Sequence, residues 1–185
     1  MLMEVKELHR SEKSVVTLVI DPNTGTRYVR KQLQGSHPVY AQLQAIMELA
    51  RRLLAEDMQK GVALTASDKV KDYLRLYFSR QSHESFVVLF LDVGNKLIAC
   101  TEMFRGTLSH TSVYPREVVK AALACNAASV IFAHNHPSGT VKPSQADKTL
   151  THLLRQALGL VDIRVLDHVI VAGNETFSFA EHGLM

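Results

Sequence analysis

Two histidines one residue apart, His134 and His136, close the apolar run Val130, Ile131, Phe132 and Ala133, and Ser144 and Asp147 follow them. The spacing is H-x-H-x7-S-x2-D. Two imidazoles and one carboxylate are a common ligand set for catalytic zinc, whose fourth position stays open to water. Cysteine offers no competing centre: Cys100 and Cys125 lie far from any C-x-x-C spacing and read as buried free thiols. Singly, a histidine pair and a helix-capping Ser and Asp are ordinary structural residues. Their joint placement is what suggests chemistry.

The elements around them supply that placement. The apolar run is short and β-prone, so it reads as a buried strand. Side chains alternate across a strand, which puts His134 and His136 on one side and Asn135 on the other. Pro137, Ser138, Gly139 and Pro143 then make a loop. Ser144 stands as the N-cap of a helix whose apolar face is Ala146, Leu150, Leu153, Leu154, Ala157 and Leu158, ended by Gly159. Asp147 falls in the first turn of that helix, within reach of the loop. The contiguous string His134-Asn135-His136 is unrelated to the HNH nuclease motif, whose three residues are spread along a ββα element.

The signature matches that of the JAMM (MPN-type) metalloproteases, and the flanking text FRGTLSHTSVYPREVVKAAL, AHNHPSGTVKPSQAD and LVDIRVLDHVIV resembles the bacterial RadC family. The resemblance runs from about Gly61 to Met185. It implies an α/β fold: a mixed β-sheet flanked by helices, in a three-layer arrangement like that of the cytidine deaminases. It also implies a zinc-dependent (Zn2+) hydrolase of peptide or isopeptide bonds, acting on a peptide or protein substrate, with His134, His136 and Asp147 as metal ligands. In that family the general base is a glutamate just before the first core strand. Glu84, two residues ahead of Phe86, matches it, and Glu102 at the far end of the same hairpin is the rival. Ser144 would add a hydroxyl to oxyanion stabilisation, beside its reading as a plain N-cap. The family's name carries an alternative from another class, a DNA repair or recombination accessory role. His83, His110 and His168 stand outside this set, and the Asp167-His168 pair reads as structural.

Elsewhere the chain is punctuated plainly. Ser14 to Ile20 and Tyr28 to Leu33 alternate around the turn DPNTG and read as a hairpin. Helical patterns follow, with Leu43, Ile46, Met47, Ala50, Leu53 and Leu54 on one face, then Val70, Tyr73, Leu74 and Tyr77 on another. Phe86 to Leu91 and Lys96 to Glu102 form a second hairpin, and Pro115 opens a helix burying Val118, Val119, Ala121, Ala122 and Leu123. Three short strands are expected at 163–166, 168–172 and 176–179. Residues 1–60 are therefore assigned to an N-terminal extension and 61–185 to the motif-bearing domain.

At 185 residues, 46% hydrophobic and 21% charged, the chain is long enough to bury a real core. It contains no run of about 18 apolar residues, and MLMEVKELHRSEK lacks a signal-peptide apolar region, so a cytoplasmic protein with no membrane partner is expected. The net charge of +3 is uneven: residues 1–80 carry 13 Lys/Arg against 9 Asp/Glu, and 81–185 carry 8 against 9. RadC proteins carry a helix-hairpin-helix region ahead of the catalytic domain, and its turn is absent from residues 1–40. DNA contact is therefore expected to be weak and non-specific.

Overall fold

The computed structural model describes residues 14–20, 27–33, 38–60, 68–79, 81–106 and 113–185. The expected turn at 21–25, residues Leu64 to Ser67 and His110 lie outside the described residues. The chain falls into two units, Met1–Leu49 and Ala50–Met185. In the first unit, β1 (Ser14–Ile20) and β2 (Arg27–Leu33) pair antiparallel, from Ser14↔Leu33 to Ile20↔Arg27. The expected hairpin strands are thus present.

The division falls within helix α1 (Pro38–Lys60), earlier than the boundary after residue 60 read from the sequence. Met58 gives the physical reason. It is 1% exposed and belongs to the core of the second unit, with Leu54 and Ala55 packed against that core. Leu43, Ile46 and Leu53, from the predicted apolar face, are exposed.

The second unit is organised on a five-stranded sheet of order β4-β3-β5-β6-β7. Its strands are β3 (Glu84–Leu91), β4 (Leu97–Gly106), β5 (Ser129–Asn135), β6 (Arg164–Ala172) and β7 (Glu175–Ser178). Only β5 and β6 run parallel, so the sheet is mixed, as expected. The parallel pair needs a crossover, and α4 (Gln145–Gly159) supplies it.

Period-two alternation sorts the strand residues onto two faces. Val87, Leu89, Leu91, Ile131, Ala133, Val169 and Val171 pack with α2 (Asp68–Phe78) and Met58. Phe86, Val88, Phe90, Val130 and Phe132 pack with Val118 and Ala122 of α3 (Pro115–Ala124) and Leu154 and Leu158 of α4. Three layers result, helix over sheet over helix, and β5 in the middle is buried along its whole length.

Two details differ from the sequence reading. Residues 164–172 form one strand, because Asp167 stays inside it. Its buried carboxylate accepts from His168 N, Ser178 Oγ and Ala180 N at 2.6–2.9 Å, and Leu166 is bulged out of register between Val165 and Asp167. Leu123 is 56% exposed, off the buried face of its helix. Among the described residues no helix is long and apolar enough to cross a membrane.

Candidate metal centre

His134 is the sixth residue of β5 and faces the α4 side, paired in register with Phe86 of β3. It is 0% exposed. His136 lies just past the strand, its backbone N–H donating to Val171 O at 2.9 Å, which carries the parallel pairing two residues beyond His134. The chain then reverses through 137–140. Gly139 sits at φ +85, a conformation that costs a glycine least, and the turn returns the Thr140 carbonyl to 2.7 Å from His136 Nδ1. A carbonyl only accepts, so Nδ1 carries the proton and the neutral ring leaves Nε2 bare.

Ser144 and Asp147 hold each other in a capping box. The Ser144 N–H and hydroxyl both donate to Asp147 Oδ2 at 2.7 Å, and the hydroxyl accepts from Asp147 N at 3.1 Å. Thus the N-cap reading of Ser144 is present in the structure, and its single hydroxyl proton is directed at Asp147. The pairing turns the 2% exposed carboxylate inward. Its Oδ1 lies 3.4 Å from His134 Nε2 and its Oδ2 3.7 Å from His136 Nε2.

The two Nε2 atoms are 3.0 Å apart. Bonds of 2.0–2.1 Å to a tetrahedral zinc place neighbouring ligand atoms about 3.3 Å apart. Separations of 3.0, 3.4 and 3.7 Å bracket that value, so the donor set fits the ion in chemistry and spacing. Burial pushes His134 down to about 4, with His136 pushing the same way and the Asp147 carboxylate opposing. The ring is therefore neutral at pH 7, as a metal ligand must be.

Glu84, the first residue of β3, places Oε1 4.0 Å from His136 Nε2. Glu84, His134 and His136 by themselves also form a group whose ligand atoms all lie within 4.8 Å. Asp147 is nearer to both imidazoles and is pinned by Ser144, while Glu84 stands as a second carboxylate beside them. Glu102 is placed elsewhere. It pairs in register with Val87, which puts it on the α2 side of the sheet, and it bonds Arg105 at 2.8 Å.

Sequence reasoning passed over two neighbours. His168, read as structural, has Nε2 2.8 Å from His134 Nδ1. Asn135, turned to the opposite face, accepts from Ser85 N at 2.8 Å through Oδ1 and donates through Nδ2 to His83 O at 2.9 Å. These bonds continue the β3–β5 pairing beyond Phe86↔His134 and pin the backbone on both sides of Glu84. Asn135→Ala should therefore cost about 1–3 kcal/mol by leaving buried main-chain groups unpaired. Chemical denaturation reads that loss, and zinc stoichiometry should stay at the wild-type value because no ligand has moved. Loss of zinc in this variant would mean that Asn135 supports the ligands rather than Glu84.

A family model described as RadC-like JAB domain matches residues 64–184, which include the whole centre. A UPF0758 protein from Herminiimonas arsenicoxydans is 67% identical over 153 residues, 82% of this chain and 68% of its own length. Another, from Janthinobacterium sp., is 61% identical with the same coverage. A third, from Thiobacillus denitrificans, is 61% identical over 144 residues, 78% of this chain and 64% of its own. The chain thus spans about two thirds of the length of these relatives. With a mixed sheet between helical layers, a histidine pair at the end of its central strand and a family match across that whole region, the chain belongs to the RadC-like JAB domain family.

Proposed function

We propose that this protein is a zinc-dependent hydrolase of peptide or isopeptide-like amides, of the JAMM type. One observation carries the reading: two imidazole nitrogens and a capped carboxylate converge at 3.0–3.7 Å, with a second carboxylate alongside. Bound zinc would supply a Lewis acid and lower the pKa of its water to about 7. The remaining work falls to the chain. His134, His136 and Asp147 would hold the ion, at the end of the buried β5. Glu84 takes the proton of the attacking water and returns it to the leaving amine nitrogen, the acid and base duty of one carboxylate. The Ser144 hydroxyl donates to the Asp147 carboxylate, and by turning its proton from Asp147 to the substrate carbonyl oxygen it would help to stabilise the oxyanion.

The test is metal analysis of the purified protein followed by cleavage of an unbiased peptide library, including branched isopeptides, with and without chelator. One zinc per chain and chelator-sensitive cleavage are expected. Zinc with no cleavage of any amide would make the chain a metal-binding scaffold, and no zinc would remove the reading altogether. A DNA-accessory role is separated by salt titration, because phosphate contacts release counterions. Duplex affinity is expected at the non-specific level, ~10⁻⁴ to 10⁻⁶ M at physiological salt, and submicromolar binding would place the DNA role first.

A further inference from the structure

We propose, resting on the metal reading above, that His168 and Thr151 are positioning residues that lock His134 into the one tautomer able to present Nε2 to a metal. The assignment comes from the direction in which a buried chain of hydrogen bonds must run. Its fixed end is the Asp147 backbone carbonyl, which can only accept. Thr151, one helical turn on, places Oγ1 2.6 Å from that oxygen, a separation that requires the hydroxyl proton between them. That proton is the only one Thr151 has. The next contact, 2.6 Å from Oγ1 to His168 Nδ1, must then be donated by His168.

His168 has no room for a second proton. It is 0% exposed and enclosed by Phe86, Phe132 and Phe179, the last stacked on it at 4.7 Å. Its ring nitrogens meet a hydroxyl and a second imidazole, with no carboxylate bonded to either. An imidazolium there would be a buried charge without a counter-ion, a costly state. Its Nε2 is therefore an acceptor, and the 2.8 Å contact is donated by His134 Nδ1–H. The neutral His134 ring then has its remaining lone pair on Nε2, directed at His136 and Asp147.

The chain starts at one ligand's backbone and ends by setting the protonation of another ligand's side chain. Asp147 thus acts twice, through its carboxylate and through its carbonyl. At Nε2 the His134 ring meets His136 Nε2 at 3.0 Å and Asp147 Oδ1 at 3.4 Å, and Phe86 stacks on its face, so the proton that His168 accepts from Nδ1 is what keeps Nε2 free for a metal.

Thr151→Val keeps the volume and removes the hydroxyl. It should weaken zinc binding ~10–100-fold in competition with a chelator, the usual cost of losing an outer partner of a ligating histidine. Thr151→Ser should restore it, which a purely packing role would not predict. Independently of zinc, nitrogen-15 spectra of the metal-free protein should show His134 as a single Nδ1–H tautomer, with its resonances identified by comparison with His134→Gln. In Thr151→Val both tautomers should be populated. His168→Phe, which fills the aromatic slot without an acceptor, should weaken zinc binding to a similar degree. Wild-type zinc affinity and an unchanged tautomer in Thr151→Val would overturn the proposal, as would His134 protonated on Nε2 in the wild-type protein. A wild-type protein that shows the Nδ1–H tautomer but takes no zinc would support the assignment while sinking the metal reading.

Discussion

His136→Ala should remove stoichiometric zinc from the protein while leaving it folded. Of the three proposed ligands His136 is the cleanest to delete. It lies past the end of β5 with its side chain 13% exposed, and its partner Thr140 O is itself at the surface. His134→Ala would instead open a void beside Phe86 and leave His168 without its partner. Asp147→Ala would break the capping box and leave the Ser144 N–H without its acceptor before any metal is considered. Asp147→Asn is the better probe there, since its amide oxygen can still accept from Ser144 while the charge is gone.

Losing one of three protein ligands should weaken zinc by more than the ~10–100-fold typical of losing an outer partner. Thermal unfolding provides a second readout. Zinc at 100 times its dissociation constant should stabilise the wild-type protein by about 2.7 kcal/mol and His136→Ala by almost nothing. Wild-type zinc content in His136→Ala, or an equal rise in unfolding temperature, would remove this residue from the centre.

How much of this was legible in the sequence depends on which physical pattern carried it. The ligand spacing lies within one strand, one turn and one helix start, so local rules reach it. Alternation placed both histidines on one face, and the capping signature placed Asp147 back over them. The sheet order was not local. No period in the sequence says that β3 pairs with both β4 and β5, and that pairing is what sends Glu84 to the face of the histidine pair and Glu102 to the other.

Long-range contacts between polar side chains were also out of reach. His168 and Thr151 are 17 residues apart, and each has an innocent local explanation, one beside a buried Asp and one on a helix. A signal was nonetheless present in Thr151. It is one turn beyond Asp147 and interrupts the face formed by Leu150, Leu154 and Leu158, where a polar residue needs a buried partner. Residue 58 shows the opposite failure. Helical periodicity named an apolar face at Leu43 to Leu54, but the core of the second unit takes Leu54, Ala55 and Met58 from α1.

Glu84→Gln should keep wild-type zinc and lose at least ~10²-fold in hydrolysis, the usual worth of a positioned acid or base. The amide has the shape of the carboxylate, so the start of β3 and its Asn135 anchors should be undisturbed. Only the capacity to take a proton is lost. The same variant decides between the two metal groupings the structure allows. If Glu84 were the third ligand in place of Asp147, Glu84→Gln would lose zinc together with activity, and Asp147→Asn would spare it. If it is the base, metal content and rate separate. Glu102→Gln is the matched control: it removes a carboxylate from the same hairpin but from the opposite face, where its loss breaks an ion pair with the exposed Arg105 that solvent screens. Its hydrolysis rate should stay close to wild type. A Glu102→Gln defect as large as that of Glu84→Gln would mean that the sheet register, rather than the chemistry of one carboxylate, governs the rate. Full activity in Glu84→Gln would show that the proton is carried by another group.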